Sequence, residues 1–161
     1  MASPRLEQLM VRLQHVRDNL NTILDRVPNG LWEQRIYADG AQWTLRELLI
    51  HLMISDHGQN NVLMGIAEGK NIIPDDYDLN RYNSGSVNKR KEVSVEYARQ
   101  ALTESRQRLI DWLSGLDDTV LDKEGRHASM QILSIAQILE VMAQHEEGHT
   151  RDIEAMIAQN A

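Results

Sequence analysis

The sequence contains no cysteine, which removes disulfides and thiolate metal ligands from consideration. Any transition-metal site must then be built from imidazole and carboxylate. Phenylalanine is also missing and aromatics make up only 4% of the chain, so the core has to come from Leu, Ile, Val, Met and Ala. Most of these are good helix formers, and Met fills irregular gaps between helices. No apolar run approaches the roughly 18 residues that a membrane span needs. The first residues, Met1-Ala-Ser-Pro-Arg-Leu-Glu, lack the apolar stretch of a signal peptide. The cytoplasm is the expected location, with no membrane partner. Positive charge is scarce as well: 17 basic residues against 24 acidic ones leave a net charge of −7. No basic stripe offsets that acidity, so nucleic acid is not an expected partner.

What is present fits one soluble domain over residues 1–161, with 42% apolar and 25% charged residues. Four segments carry a helical period and none alternates convincingly with period two. The first runs from Ser3, an N-cap followed by Pro4, to about Val27, with Leu6, Leu9, Leu13, Val16, Leu20 and Leu24 on one face. The second opens with a capping box, Thr44-Leu45-Arg46-Glu47, and continues to about Glu68 with Gly69 beyond it. Residues 69–93 read as a long loop, the third helix as Ser94 to Ser114, and the fourth as about Ser129 to Gln159. This order of elements predicts an all-α, up-down four-helix bundle with a long loop between helices 2 and 3. The second helix is apolar on more than one side. Ile50, Met53 and Met64 form a face beyond what one core requires, which predicts a homodimer.

His145 and His149 lie four residues apart in the last helix, about 40° apart in azimuth, on the face that carries Ile138, Met142 and Met156. An inward histidine is ordinarily a hydrogen-bonded core residue. Two on one turn would each need a partner in apolar surroundings, and a shared metal ion meets both needs at once. The third candidate ligand is His51, at the edge of the apolar arc of the second helix. His57 is about 120° away and falls on the surplus face, His15 reads as exposed, and His127 sits in a link. His145-Glu146-x-x-His149 also matches the zincin protease string, with Glu146 as general base. No sheet edge and no suitable third ligand accompany it, so Glu146 reads better as a group supporting the histidines.

Trp43-Thr44-Leu45-Arg46-Glu47-Leu48-Leu49-Ile50-His51-Leu52 resembles the second-helix motif of the DinB/YfiT-like superfamily, and His145-x-x-x-His149 followed by Ile153 resembles its fourth-helix motif. The resemblance covers nearly the whole chain. It implies a four-helix bundle whose metal triad is His51, His145 and His149, with a fourth position open to water or substrate, the arrangement of a catalytic zinc site. It also implies a divalent ion, zinc or nickel, and a transferase that joins a low-molecular-weight thiol to an electrophilic small molecule. Gly148 would then leave room beside the ion, or else allow close helix packing. Tyr77, Arg81, Tyr82 and Asn83 would cap the site from the long loop, or be a solvated crossover. Two other classes stay open: a non-catalytic metal or small-molecule binding protein of a stress response, and a structural dimer with histidines in its core. Added zinc or nickel would raise the melting temperature of a metal site and leave a structural dimer unchanged.

Overall fold

The computed structural model describes residues 1–161. Helix α1 spans Pro4–Leu24, and the Ser3 side chain accepts from the Leu6 N–H at 3.1 Å. It stops three residues short of Val27, because Pro28 pushes the residue before it out of the helical region. Helix α2 spans Leu45–Ala67. Both halves of its capping box are made: the Glu47 N–H donates to Thr44 Oγ1 at 3.1 Å, and the Thr44 N–H to Glu47 Oε2 at 3.0 Å. Gly69, at φ +74°, turns the chain away.

The segment 69–93 is not all loop. It contains helix α3, Leu79–Asn88, capped by the Asp78 side chain, which accepts from the Arg81 N–H at 3.0 Å. Val87 of α3 packs on Ile50 and Ile54 of α2. Ile50 is thereby fully buried inside the single chain, while Met53 and Met64 are half-buried. The surplus apolar face of α2 finds its main cover at home, so Ile50 is not available to a dimer contact. Helix α4 spans Val95–Ser114, capped by Ser94 and followed by Gly115.

The second departure lies between α4 and the last helix. Strands β1, Glu124–Arg126, and β2, Ile132–Ser134, pair as an antiparallel hairpin. Three residues per strand are too few to show a period of two, which is why the hairpin is silent in the sequence. Helix α5, Ile135–Gln159, therefore begins six residues later than Ser129, on a second capping box between Ser134 and Gln137.

The main packing pairs are α1 with α5 and α2 with α4, joined by α2 with α5 and α1 with α4. The sequence neighbours α1–α2 and α4–α5 are not among them, unlike the expected up-down order in which consecutive helices lie side by side. Both connections, residues 25–44 and 115–134, are long enough to cross the bundle end. The core is in two halves. Leu6, Leu13, Leu63, Leu109 and Ile138 belong to one, and Leu20, Leu48, Leu49, Leu102 and Ile153 to the other. Along every bundle helix a charged residue separates them: Arg17, Asp56, Arg106 and Glu146, each no more than 5% exposed. A polar layer thus crosses the bundle at mid-height. No helix is long and apolar enough to cross a membrane.

Candidate metal centre

At the level of this layer, α2 contributes His51 and α5 contributes His145 and His149. The structure brings all three sequence candidates together, with one nitrogen from each within 4.8 Å of the others. His51 Nε2 is 3.2 Å from His145 Nε2, which is 3.1 Å from His149 Nε2. Nitrogens about 2.0–2.1 Å from one tetrahedral ion stand about 3.3 Å apart, so the trio has the spacing that a shared ion requires. The rings meet edge to face, His51 on His145 and His145 on His149 both at 84°. His51 is buried, whereas His145 and His149 are only partly covered, which leaves one side open.

Burial disfavours protonation at each ring. It pushes His51 down to about 3, aided by the neighbouring His145 and His149. His145 is pushed down to about 4 by burial and by His149, partly opposed by Asp56. His149 is lowered by burial, with Asp152 opposing. The three are therefore neutral at pH 7, the form in which imidazole ligates.

Two groups from the connection before α2 complete the surround. The backbone there folds back on itself, with the Ile36 N–H donating to the Trp43 carbonyl and the Leu45 N–H to that of Gln34, both at 3.0 Å. This brings Trp43 to stack on His51 at 4.6 Å between ring centroids, and Tyr37 to His149. The Tyr37 hydroxyl donates to Asp152 Oδ2 at 2.6 Å and lies 2.8 Å from His149 Nδ1. Burial and the Asp152 carboxylate raise the Tyr37 pKa, so the phenol keeps its proton and gives it to Asp152. Toward His149 it can then only accept, which places the imidazole proton on Nδ1 and leaves the Nε2 lone pair facing the other two histidines. Neither Tyr37 nor Asp152 carried a sequence signal of its own. Trp43 stood in the motif before His51 without an assigned role.

Behind the histidines lies the charged layer. Glu146 accepts from Arg17 Nε at 2.6 Å and from Arg106 Nη2 at 2.8 Å, and Asp56 Oδ1 accepts from Arg17 Nη2 at 3.1 Å and Arg106 Nη2 at 3.2 Å. Burial opposes the Arg17 charge, but Glu146 and Asp56 more than offset it and hold the guanidinium above its usual range. Both oxygens of Glu146 are engaged by arginine. It is thus not placed as a protease general base, and it anchors the helix turn that carries His145.

The remaining candidates fall elsewhere. His15 and His57 are exposed. His127 is buried at the hairpin turn, where its Nδ1 accepts from the Ser129 N–H at 3.2 Å, and it is not part of the trio. A side chain at Gly148 would meet nothing within 4 Å, so this glycine leaves open space and is not a close-packing contact. Tyr77, Tyr82 and Asn83 line a cavity against α2 instead of covering the histidines, and Arg81 is exposed.

Comparison with known proteins bears on this geometry. A family model described as the DinB superfamily matches residues 12–153. None of the curated proteins matches the sequence. Among solved structures, YfiT from Bacillus subtilis, described as a probable metal-dependent hydrolase with an unusual four-helix bundle topology, is similar at TM-score 0.74 and 14% identity, over 99% of this chain and 89% of that one. A mycothiol-dependent maleylpyruvate isomerase matches at TM-score 0.76 and 14% identity over 92% of this chain but only 60% of its own. An uncharacterised protein from Clostridium difficile 630 matches at TM-score 0.71 and 14% identity, over 97% of both chains. At such identities the likeness is one of fold.

Proposed function

This chain belongs to the DinB superfamily, and from that premise we propose that it is a single-domain enzyme holding one divalent ion, zinc or nickel, on His51, His145 and His149. The reaction we assign to it joins a low-molecular-weight thiol to an electrophilic small molecule. The observation that carries the metal reading is the convergence of three Nε2 atoms, with successive pairs 3.1 and 3.2 Å apart. The thiol is suggested by the structural likeness to a mycothiol-dependent isomerase.

A divalent ion so held would supply Lewis acidity and lower the pKa of a thiol brought to its open side. In such a transfer the thiol would lose its proton to solvent, and its sulfur would bond to the electrophilic carbon as the bond from that carbon to its leaving group breaks, the leaving group taking the electron pair. The protein's own groups prepare that step. Tyr37 and Asp152 fix the His149 ring, Trp43 holds His51 in its plane, and Gly148 leaves space beside the trio. Glu146, locked by two arginines, takes no part in proton transfer.

Elemental analysis of the purified protein beside a His145→Ala, His149→Ala variant tests the site. About one equivalent of metal, lost in the variant, is expected. No metal, even after zinc or nickel is added back, sinks the reading. Turnover of the zinc-loaded protein with thiols and electrophiles then separates an enzyme from a non-catalytic metal or small-molecule binding protein of a stress response. We place the protein in the cytoplasm. The homodimer now rests on Met53 and Met64, and a monomer mass by light scattering at micromolar concentration would remove it.

A further inference from the structure

One cavity sets itself apart by what its walls lack. About 220 Å³ in volume, it lies where the crossover after α2 and helix α3 pass over the outer side of α2, and Ala128 of the hairpin turn closes one end. None of its 13 lining residues is charged or a histidine, although a quarter of the chain is charged. The larger cavity of about 830 Å³ between α2, α3 and α4 makes the contrast, since Lys89, Arg90, Glu92, Glu104 and Arg108 all line it.

The walls of the uncharged cavity are largely apolar at the rim, where Ile72, Leu79 and Tyr82 are 47%, 38% and 45% exposed beside the exposed Asn61 amide. Apolar area left in contact with water is what a bound apolar molecule would cover. Deeper in, the polar groups are neutral: Ser55, Gln59 and Asn83 offer hydroxyl and amide, with Gln59 Nε2 donating to Ser55 Oγ at 3.1 Å. The cavity and the histidine trio are neighbours along α2. Ser55 is one helical turn beyond His51, and Gln59 lines a second recess, of about 10 Å³, whose walls include His145, Asp56 and Glu146.

We propose that this cavity binds an uncharged small molecule of about the size of a disubstituted benzene, with a carbonyl or hydroxyl facing Ser55, Gln59 and Asn83. A cavity of roughly 150 Å³ already admits benzene, so 220 Å³ leaves room for substituents. An ionised ligand would find no opposite charge on the walls to offset its desolvation. That this molecule is the electrophile rests on the function proposed above; that the cavity binds it does not.

The test is a chemical-shift titration of the full chain, metal-free and zinc-loaded, with 4-methylphenol and with the anion 4-methylbenzoate. Saturable binding of the phenol is expected in both forms, with shifts at Gly58, Gln59, Tyr77 and Ala128, and at least tenfold weaker binding of the anion. In Gly58→Leu the new side chain enters open space, since a Cβ there meets nothing within 4 Å. That variant should keep its melting temperature and zinc content and lose at least tenfold in phenol affinity. Absence of saturation, equal affinity for the anion, shifts confined to the charged cavity, or a folded Gly58→Leu that binds normally would each overturn the proposal. Phenol binding without zinc uptake supports the cavity and overturns only the metal reading. Zinc uptake without phenol binding does the reverse.

Discussion

Replacing Arg106 by Met is the most informative single perturbation of this fold. Its guanidinium is 2% exposed and sits against Asp56 and Glu146, with a further bond to the Leu13 carbonyl of α1. The wild-type cluster holds two arginines and two carboxylates and is neutral overall. Arg106→Met leaves two buried carboxylates sharing the single charge of Arg17. Stripping one partner from a buried ion pair costs about 3–5 kcal/mol, mostly because an uncompensated charge stays behind. In a chain of this size each kcal/mol lowers the melting temperature by about 2–4 °C, so a fall of about 6–20 °C is expected. Urea unfolding followed by circular dichroism measures the loss directly, with an unchanged m-value showing that the native state remains compact. The double variant Arg106→Met, Asp56→Asn restores neutrality with Arg17 and Glu146, and it should be more stable than the sum of its single losses by about 0.5–3 kcal/mol. Arg12→Ala is the control. Its partners Glu140 and Glu147 are 41% and 30% exposed, and such surface pairs are worth about 1 kcal/mol or less. A loss under about 1 kcal/mol in Arg106→Met, or strict additivity in the double variant, would refute the view that the layer is a coupled, dry charge cluster.

The depressed histidine pKa values set the sign of the acid response. The unfolded chain binds protons at His51, His145 and His149 near pH 6.5 while the folded metal-free protein holds the first two neutral down to about 4 and 3 for His145 and His51, so stability is full above about pH 6.5 and falls as pH drops from there toward 3. A melting temperature of the metal-free protein that is flat from pH 7 to 4.5 would contradict this. Tyr37→Phe removes the acceptor for His149 Nδ1, and a loss of about 10–100-fold in zinc affinity by chelator competition is expected with the fold intact; unchanged affinity would dismiss the role. Gly125→Ala drives a methyl to within 2.5 Å of the Ile66 side chain of α2 and should destabilise by about 1–3 kcal/mol in urea unfolding. Gly148→Ala meets nothing within 4 Å and should stabilise by up to about 1 kcal/mol, so a comparable loss would mean that the space is not open.

The parts of this fold that were legible are those whose signal is local. Thr44 and Glu47 declare the start of α2 because they satisfy each other's neighbourhood, and His145 and His149 declare a shared face because four residues make one turn. Tyr37 was illegible for the opposite reason. It reaches His149, 112 residues away, from a connection whose course is set by backbone bonds such as Ile36 to Trp43. Helix α3 escaped notice because Val87 is its one buried large apolar side chain, too little for a stripe. The need it answers was visible nonetheless, in the excess apolar face around Ile50. A sequence states that a face must be covered but not by which chain segment, and here a piece of crossover covers Ile50, one of the three residues a partner subunit was expected to bury. The same logic reaches the charged layer. Arg17 stands between Leu13 and Leu20 in the apolar stripe of α1, and Arg106 between Leu102 and Leu109 in that of α4, so both are inward by period alone. Two inward arginines demand two inward carboxylates on the other helices. Asp56 and Glu146 meet that demand, and Glu146 directly follows His145 in the chain. An ion pair that cannot slide out of register fixes the rotation of α5 against α1 and α4, and the azimuth of His145 and His149 follows from that rotation. The layer is thus the part of the fold that aims the site.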